Sequence, residues 1–207
     1  MSLMPLAQDE RAEFADLLAT LTPEQWATPS LCTGWTVHDV VAHVLSYDGL
    51  STGGLARRLA EGRFRPDRVN AVTLAECRQR SSDELVELMR KYARPRGLTA
   101  AFGGMIALTD GMIHQQDIRR PLGMPRKIPA ERIVPALRTA LYAPVIRGFW
   151  RVRGLRLVAT DLEWGSGRGP EVRGAAEALL MVIGGRRGIV QELSGPGCDL
   201  LARRIDG

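Results

Sequence analysis

The stretch "GWTVHDVVAHVL", residues 34–45, decides how the first part of the chain is built. Thr36 has the place of a helix N-cap, and Asp39, three residues on, can close the capping box. Val37, Val40, Val41, Val44 and Leu45 then recur at helical spacing as a broad apolar stripe. A helix with so wide an apolar face has to pack against other helices. His43 lies inside that stripe, flanked by Val40, Val41 and Val44, where an unpaired imidazole is costly. His38 stands in the first turn and reads as a solvent-facing residue.

Partners for this helix are legible on both sides. "DERAEFADLLATL" (9–21) places Phe14, Leu17, Leu18 and Leu21 at helical spacing. "TPEQW" (22–26) opens a short turn, with Thr22 as cap, Pro23 at the first helical position and Gln25 closing the box. The helix of the opening stretch reads as weakening at the glycines of "STGG". "SSDELVELMRKYA" (81–93) is a further helix, capped by Ser81 or Ser82, with Leu85, Leu88 and Met89 on one face. Met105, Ile106, Leu108, Met112 and Ile113 form the apolar part of another, which Pro121 ends. "PAERIVPALRTALYAPVIRGFW" (129–150) reads as a helix interrupted by Pro135 and Pro144. The first 150 residues are therefore helical, and four main helices make a bundle the economical architecture.

The pattern changes after Gly154. "LRLVATDLEW" (155–164) alternates and is rich in strand formers, "GSGRGP" is a turn, and "EVRG" is a candidate return strand. "AAEALLMVIGG" (175–185) is a short apolar helix with a glycine stop, and "CDLLARRI" reads as a last strand. Residues 151–207 thus form a small α/β domain after a helical bundle over 1–150.

Composition bounds the function. The chain has 207 residues and a net charge of +5. Of its 28 basic residues only Lys91 and Lys127 are lysines. The arginines gather on no single element, which argues against nucleic-acid binding. Cys32, Cys77 and Cys198 are odd in number and widely spaced, which excludes a disulfide framework and a cysteine-only zinc site. No apolar run reaches membrane-spanning length and no signal-peptide core opens the chain, so the expectation is a cytoplasmic protein.

The chemistry gathers in "TDGMIHQQDIRRPLG" (109–123). Asp110 and His114 stand at i and i+4, within about 5–6 Å of each other on one helix face. Carboxylate and imidazole on adjacent turns suit a transition metal, with His43 the best third donor from another helix. Asp117, at i+3 from His114, is either an alternative ligand or the carboxylate that fixes the imidazole. Arg119 and Arg120 are candidates for binding a substrate carboxylate, or else for capping the helix end. Cys32 reads as a small buried residue.

"LCTGWTVHDVVAHV" (31–44) followed by "TDGMIHQQDIRRPLG" resembles the DinB-like superfamily, and within it the actinobacterial mycothiol-dependent maleylpyruvate isomerase family. "GLRLVATDLEWGSGRGPEVRGAAEALLMVIGGR" (154–186) is similar to the small C-terminal domain of the same family. The resemblance implies a four-helix bundle holding a divalent metal, usually zinc, by His43, Asp110 and His114. It implies mycothiol as thiol cofactor and a small electrophilic or carboxylate substrate that is isomerised or receives the thiol; a homodimer is compatible with it. One departure is Asp110, where the family pattern has glutamate. That departure keeps a non-catalytic, metal-binding small-molecule carrier as the alternative.

Overall fold

Three capping boxes start the helices where the sequence places them. The Thr36 hydroxyl accepts from the Asp39 N–H at 3.2 Å, and the Asp39 carboxylate accepts from the Thr36 N–H at 3.1 Å. Thr22 with Gln25 and Ser81 with Glu84 repeat the motif. The computed structural model describes residues 2–48, 52–61 and 78–207; Cys77 lies outside them. The helices of the N-terminal unit, residues 1–125, are α1 (Met4–Ala19), α2 (Pro23–Trp26), α3 (Val37–Leu45), α4 (Thr52–Glu61), α5 (Ser82–Lys91) and α6 (Met105–Arg119). Short 3-10 turns within Gly97–Gly104, interrupted by a kink at residues 101–103, lead into α6. Gly53 and Gly54 belong to α4, so the glycines expected to weaken the preceding helix lie inside a separate one.

α1, α3, α5 and α6 form the four-helix bundle: α1 and α3 each pack on both α5 and α6. Phe14, Leu18, Val40, Val41, Val44, Leu85, Met89 and Ile118 make its core. Gly104 carries a positive φ of 88°, and a Cβ there would come within 3.0 Å of the Met4 backbone; this is how α6 starts tight against α1. α6 is buried on nearly every face from Ala107 to Ile118, including Thr109, His114, Gln115, Gln116 and Asp117. Polar side chains on such a helix must find partners inside the protein.

A Thr36→Ala substitution removes the α3 cap and should cost about 1 kcal/mol of stability, measured by denaturant unfolding. Asp39 adds a second constraint. Its carboxylate holds Arg78 through Nε at 2.8 Å and Nη2 at 3.2 Å.

The C-terminal unit, residues 126–207, begins earlier than the boundary near 150 read from sequence. α7 (Ala130–Tyr142) belongs to it because Ile133, Ala136, Leu137 and Ala140 are buried in contact with α9 (Ala176–Ile183), itself buried along its length. α7 runs through Pro135 instead of breaking there. One missing N–H in the second turn is offset by that burial. α8 (Gly148–Val152) precedes a three-stranded sheet of order β2-β1-β3: β1 (Arg156–Ala159), β2 (Gly165–Gly167) and β3 (Glu171–Gly174). "GSG" is therefore a strand and not only a turn, antiparallel to β1 with Leu157 opposite Ser166. A Cβ on Gly167 would collide with the Leu155 carbonyl, which explains its glycine. β3 pairs with β1 in parallel, on the other side from β2. "CDLLARRI" is a helix, α10 (Cys198–Ile205), not a strand: Leu201 and Ile205, both buried, are four apart, the helical and not the strand period.

Candidate functional site

Two helices bring the expected residues together. α3 carries His43 and α6 carries Asp110 and His114. One donor atom from each of the three lies within 4.8 Å of the others. The two imidazole rings meet edge to face, with centroids 5.1 Å apart. His43 is flanked by Trp35 at 5.0 Å and by Tyr47 at 5.9 Å, so its ring stands in an aromatic frame. His114 Nε2 faces Asp110 Oδ1 at 3.5 Å. The Asp110 side chain is 34% exposed, so the cluster meets solvent on that side.

The far nitrogen of His114 is fixed from behind. Nδ1–H donates to Asp117 Oδ2 at 2.9 Å, and the Asp117 side chain is wholly buried. A buried carboxylate on Nδ1 pins the tautomer and turns Nε2 toward His43 and Asp110. Cys32 donates its S–H to the same Asp117 oxygen at 3.2 Å. Its loop is tied to α6 by the Leu31 N–H, which donates to the Asp117 carbonyl at 3.1 Å. Cys32, His114 and Asp117 therefore make a second close set of donor atoms on the opposite side of the ring. Two imidazoles and one carboxylate, from two helices, are a donor set that fits a borderline divalent cation such as zinc and leaves a coordination position for a further ligand.

The family model for the "Mycothiol maleylpyruvate isomerase N-terminal domain" matches residues 7–140, the stretch that carries all of these donors. The chain belongs to this family. Two uncharacterised proteins from two strains of Mycobacterium tuberculosis are each 28% identical over 159 residues, 70% of this chain and 82% of theirs. Among solved structures, a mycothiol-dependent maleylpyruvate isomerase matches with a TM-score of 0.62 at 17% identity, covering 93% of this chain and 91% of that one. A histidine-to-alanine mutant of a mycothiol-dependent maleylpyruvate isomerase matches with a TM-score of 0.61 at 16% identity, over the same shares. These likenesses give the chain the maleylpyruvate isomerase fold. No helix among the described residues is long and apolar enough to cross a membrane.

Other residues singled out by sequence fall elsewhere. His38 bonds through Nε2 to the Arg80 carbonyl at 2.8 Å and touches Trp26, apart from the cluster. Arg119 Nε donates to Gln115 Oε1 at 2.8 Å and its Nη2 pairs with Glu13 at 3.6 Å, which directs it to α1. Arg120 is the α6 C-cap residue. Sequence reasoning missed Tyr47 and the role of Cys32. The i,i+4 spacing of His43 and Tyr47 was an available signal; nothing in the spacing of Cys32 pointed to Asp117.

In the metal-free protein the cluster is electrostatically coupled. Burial alone would raise the Asp110 pKa, but the His114 charge and hydrogen bond, with smaller help from His43 and Arg11, hold it at about 2. Burial alone would lower that of His114, but Asp110, Asp117 and Cys32 hold it well above 6.5. A raised histidine stabilises below its unfolded pKa and loses that stabilisation as pH rises through the folded value. A depressed aspartate stabilises above 3.8 and loses it as pH falls toward about 2. With chelator present, the unfolding temperature should therefore be highest between these limits and decline as pH rises above 6.5. Thermal scans from pH 4 to 9 check this, and a flat profile on the alkaline side would contradict it.

Proposed function

We propose that this chain is a divalent-metal-dependent enzyme that uses mycothiol to isomerise, or to transfer the thiol to, a small electrophilic substrate, in the manner of a maleylpyruvate isomerase. The observation that carries the reading is the His43–Asp110–His114 cluster with His114 pinned by buried Asp117. Family membership supports the thiol.

A divalent cation held by these three residues would supply Lewis acidity that lowers the pKa of a bound thiol. The chain's own residues do the rest. With the cation bound, His43 and His114 would ligate as neutral imidazoles, His114 releasing its Nε2 proton, and Asp110 would supply one negative charge. Asp117 keeps the proton of His114 on Nδ1, away from the cluster. Trp35 and Tyr47 pack on the His43 ring. In the isomerisation, sulfur adds to a carbon of the substrate double bond. Rotation follows about the resulting single bond, and elimination returns the thiol unchanged.

Cobalt-loaded protein titrated with mycothiol tests this. A sulfur-to-metal charge-transfer band in the near ultraviolet, together with turnover of maleylpyruvate, is expected. No band would overturn thiol binding at the metal. A band without turnover would remove the isomerase reading and favour thiol transfer to another electrophile or a non-catalytic carrier.

A further inference from the structure

Arg11, on α1, is fully buried. Its Nη1 donates to Asp48 Oδ2 at 2.6 Å and to the Tyr92 carbonyl at 3.0 Å. Asp48 is also held by the Thr99 hydroxyl and approached by the Arg96 N–H. The opposite edge of the guanidinium is different. Nε and Nη2 are buried, and neither has a hydrogen-bond partner among the described residues. These two N–H groups point the same way, as the side-on fork that matches the two oxygens of a carboxylate. The same edge of Arg78 holds the Asp39 carboxylate in this protein. Buried charged donors are rarely left unmade, so an open fork calls for a ligand.

Arg11 lies on the part of α1 that packs along the donor-bearing stretch of α6. α1 runs beside α6 in the same direction: Glu10 stands against Gly111 and receives the Gln115 amide, and Glu13 meets Arg119. This register places Arg11 beside the turns of α6 that carry Asp110 and His114. On the α3 side, Asp48, the partner of Arg11, directly follows Tyr47, whose ring packs on His43.

We propose that the Nε/Nη2 edge of Arg11 receives a carboxylate of the substrate beside the His43–Asp110–His114 cluster. This rests on the metal-dependent reading above. Arg11 takes the role that sequence offered to Arg119 and Arg120. A carboxylate seated there would hold the reacting carbon at a fixed distance from the open metal position. Arg11→Lys keeps the charge and the link to Asp48 but has no fork.

The test uses the full chain, zinc-loaded and with 15N-labelled arginine. The Arg11 Nε–H cross-peak is assigned by its loss in Arg11→Lys and, independently of that variant, by through-space contacts to Tyr92. Maleate is the probe and maleamide its uncharged counterpart. Maleate should shift the Arg11 cross-peak saturably and maleamide should not. Arg11→Lys should weaken maleate binding by about 10-fold or more, with zinc content unchanged. An unmoved cross-peak at saturating maleate overturns the proposal, as does equal maleate affinity in the lysine variant. Zinc content of the same samples reports on the metal separately: a shift without zinc keeps the fork and removes the metal, and zinc without a shift removes the fork.

Discussion

His43→Ala and His114→Ala should each abolish zinc binding. The wild-type chain is expected to carry about one equivalent, since three protein donors and an open position are the usual catalytic arrangement. Removing one of three donors takes away a direct bond to the cation. The loss should exceed the roughly 10–100-fold that removing an outer-shell partner typically costs. Both variants should purify with under about a tenth of an equivalent and lose mycothiol-dependent activity with it. Metal analysis after dialysis against free zinc is the measurement. The plain alternative for His43 is a core histidine packed between Trp35 and Tyr47. On that account His43→Ala would lower the unfolding temperature and leave the zinc content intact. Wild-type zinc in both variants would end the metal reading, whatever happened to stability.

The bundle was legible because its helices announce their starts. Thr36 with Asp39 and Ser81 with Glu84 close the capping boxes their spacing predicts, and the valine stripe of α3 points into the core as its period requires. The proximity of His43, Asp110 and His114 was legible less directly. An i,i+4 pair on one helix and an imidazole inside an apolar stripe on another were weak signals on their own spacing, and the family resemblance joined them into one set. What spacing could not show were contacts between distant residues. Cys32 meets Asp117 across 85 positions, through a loop whose course depends on the Leu31 N–H bond to α6. Glu10 and Arg11, charged residues ahead of the apolar spacing of α1, are both fully buried. Their partners, Gln115 and Asp48, lie about 105 and 37 residues away. In the C-terminal unit, short elements carry too few periods to separate helix from strand, and α10 was misread for that reason.

The two acids near His114 should part company when each is neutralised without loss of volume. Asp117→Asn keeps an oxygen acceptor but removes the charge from a wholly buried position. The amide also presents a donor that competes with the Nδ1–H of His114 and the S–H of Cys32. The ring is then free to carry its proton on the nitrogen that should face the metal, and zinc affinity should fall by about 10–100-fold. The protein should still bind zinc at saturating concentrations, because all three direct donors remain. Asp110→Asn replaces an anionic donor by a weakly ligating amide oxygen and removes a negative charge from the cluster itself, so its loss should be the larger of the two. Competition titrations against a chromophoric chelator order the two affinities. If Asp117→Asn proved the weaker binder, Asp117 would be the ligand, with Cys32 and the Nδ1 side of His114 forming the site. The cation would then sit on the other face of the ring, where Cys32, His114 and Asp117 already stand within reach of one another. A Cys32→Ser variant separates these outcomes further. With the cation on the Nε2 side, the serine hydroxyl can still donate to Asp117, and zinc affinity should change little. With the cation on the Nδ1 side, replacing a thiolate by a hydroxyl removes the softest ligand and the affinity should collapse.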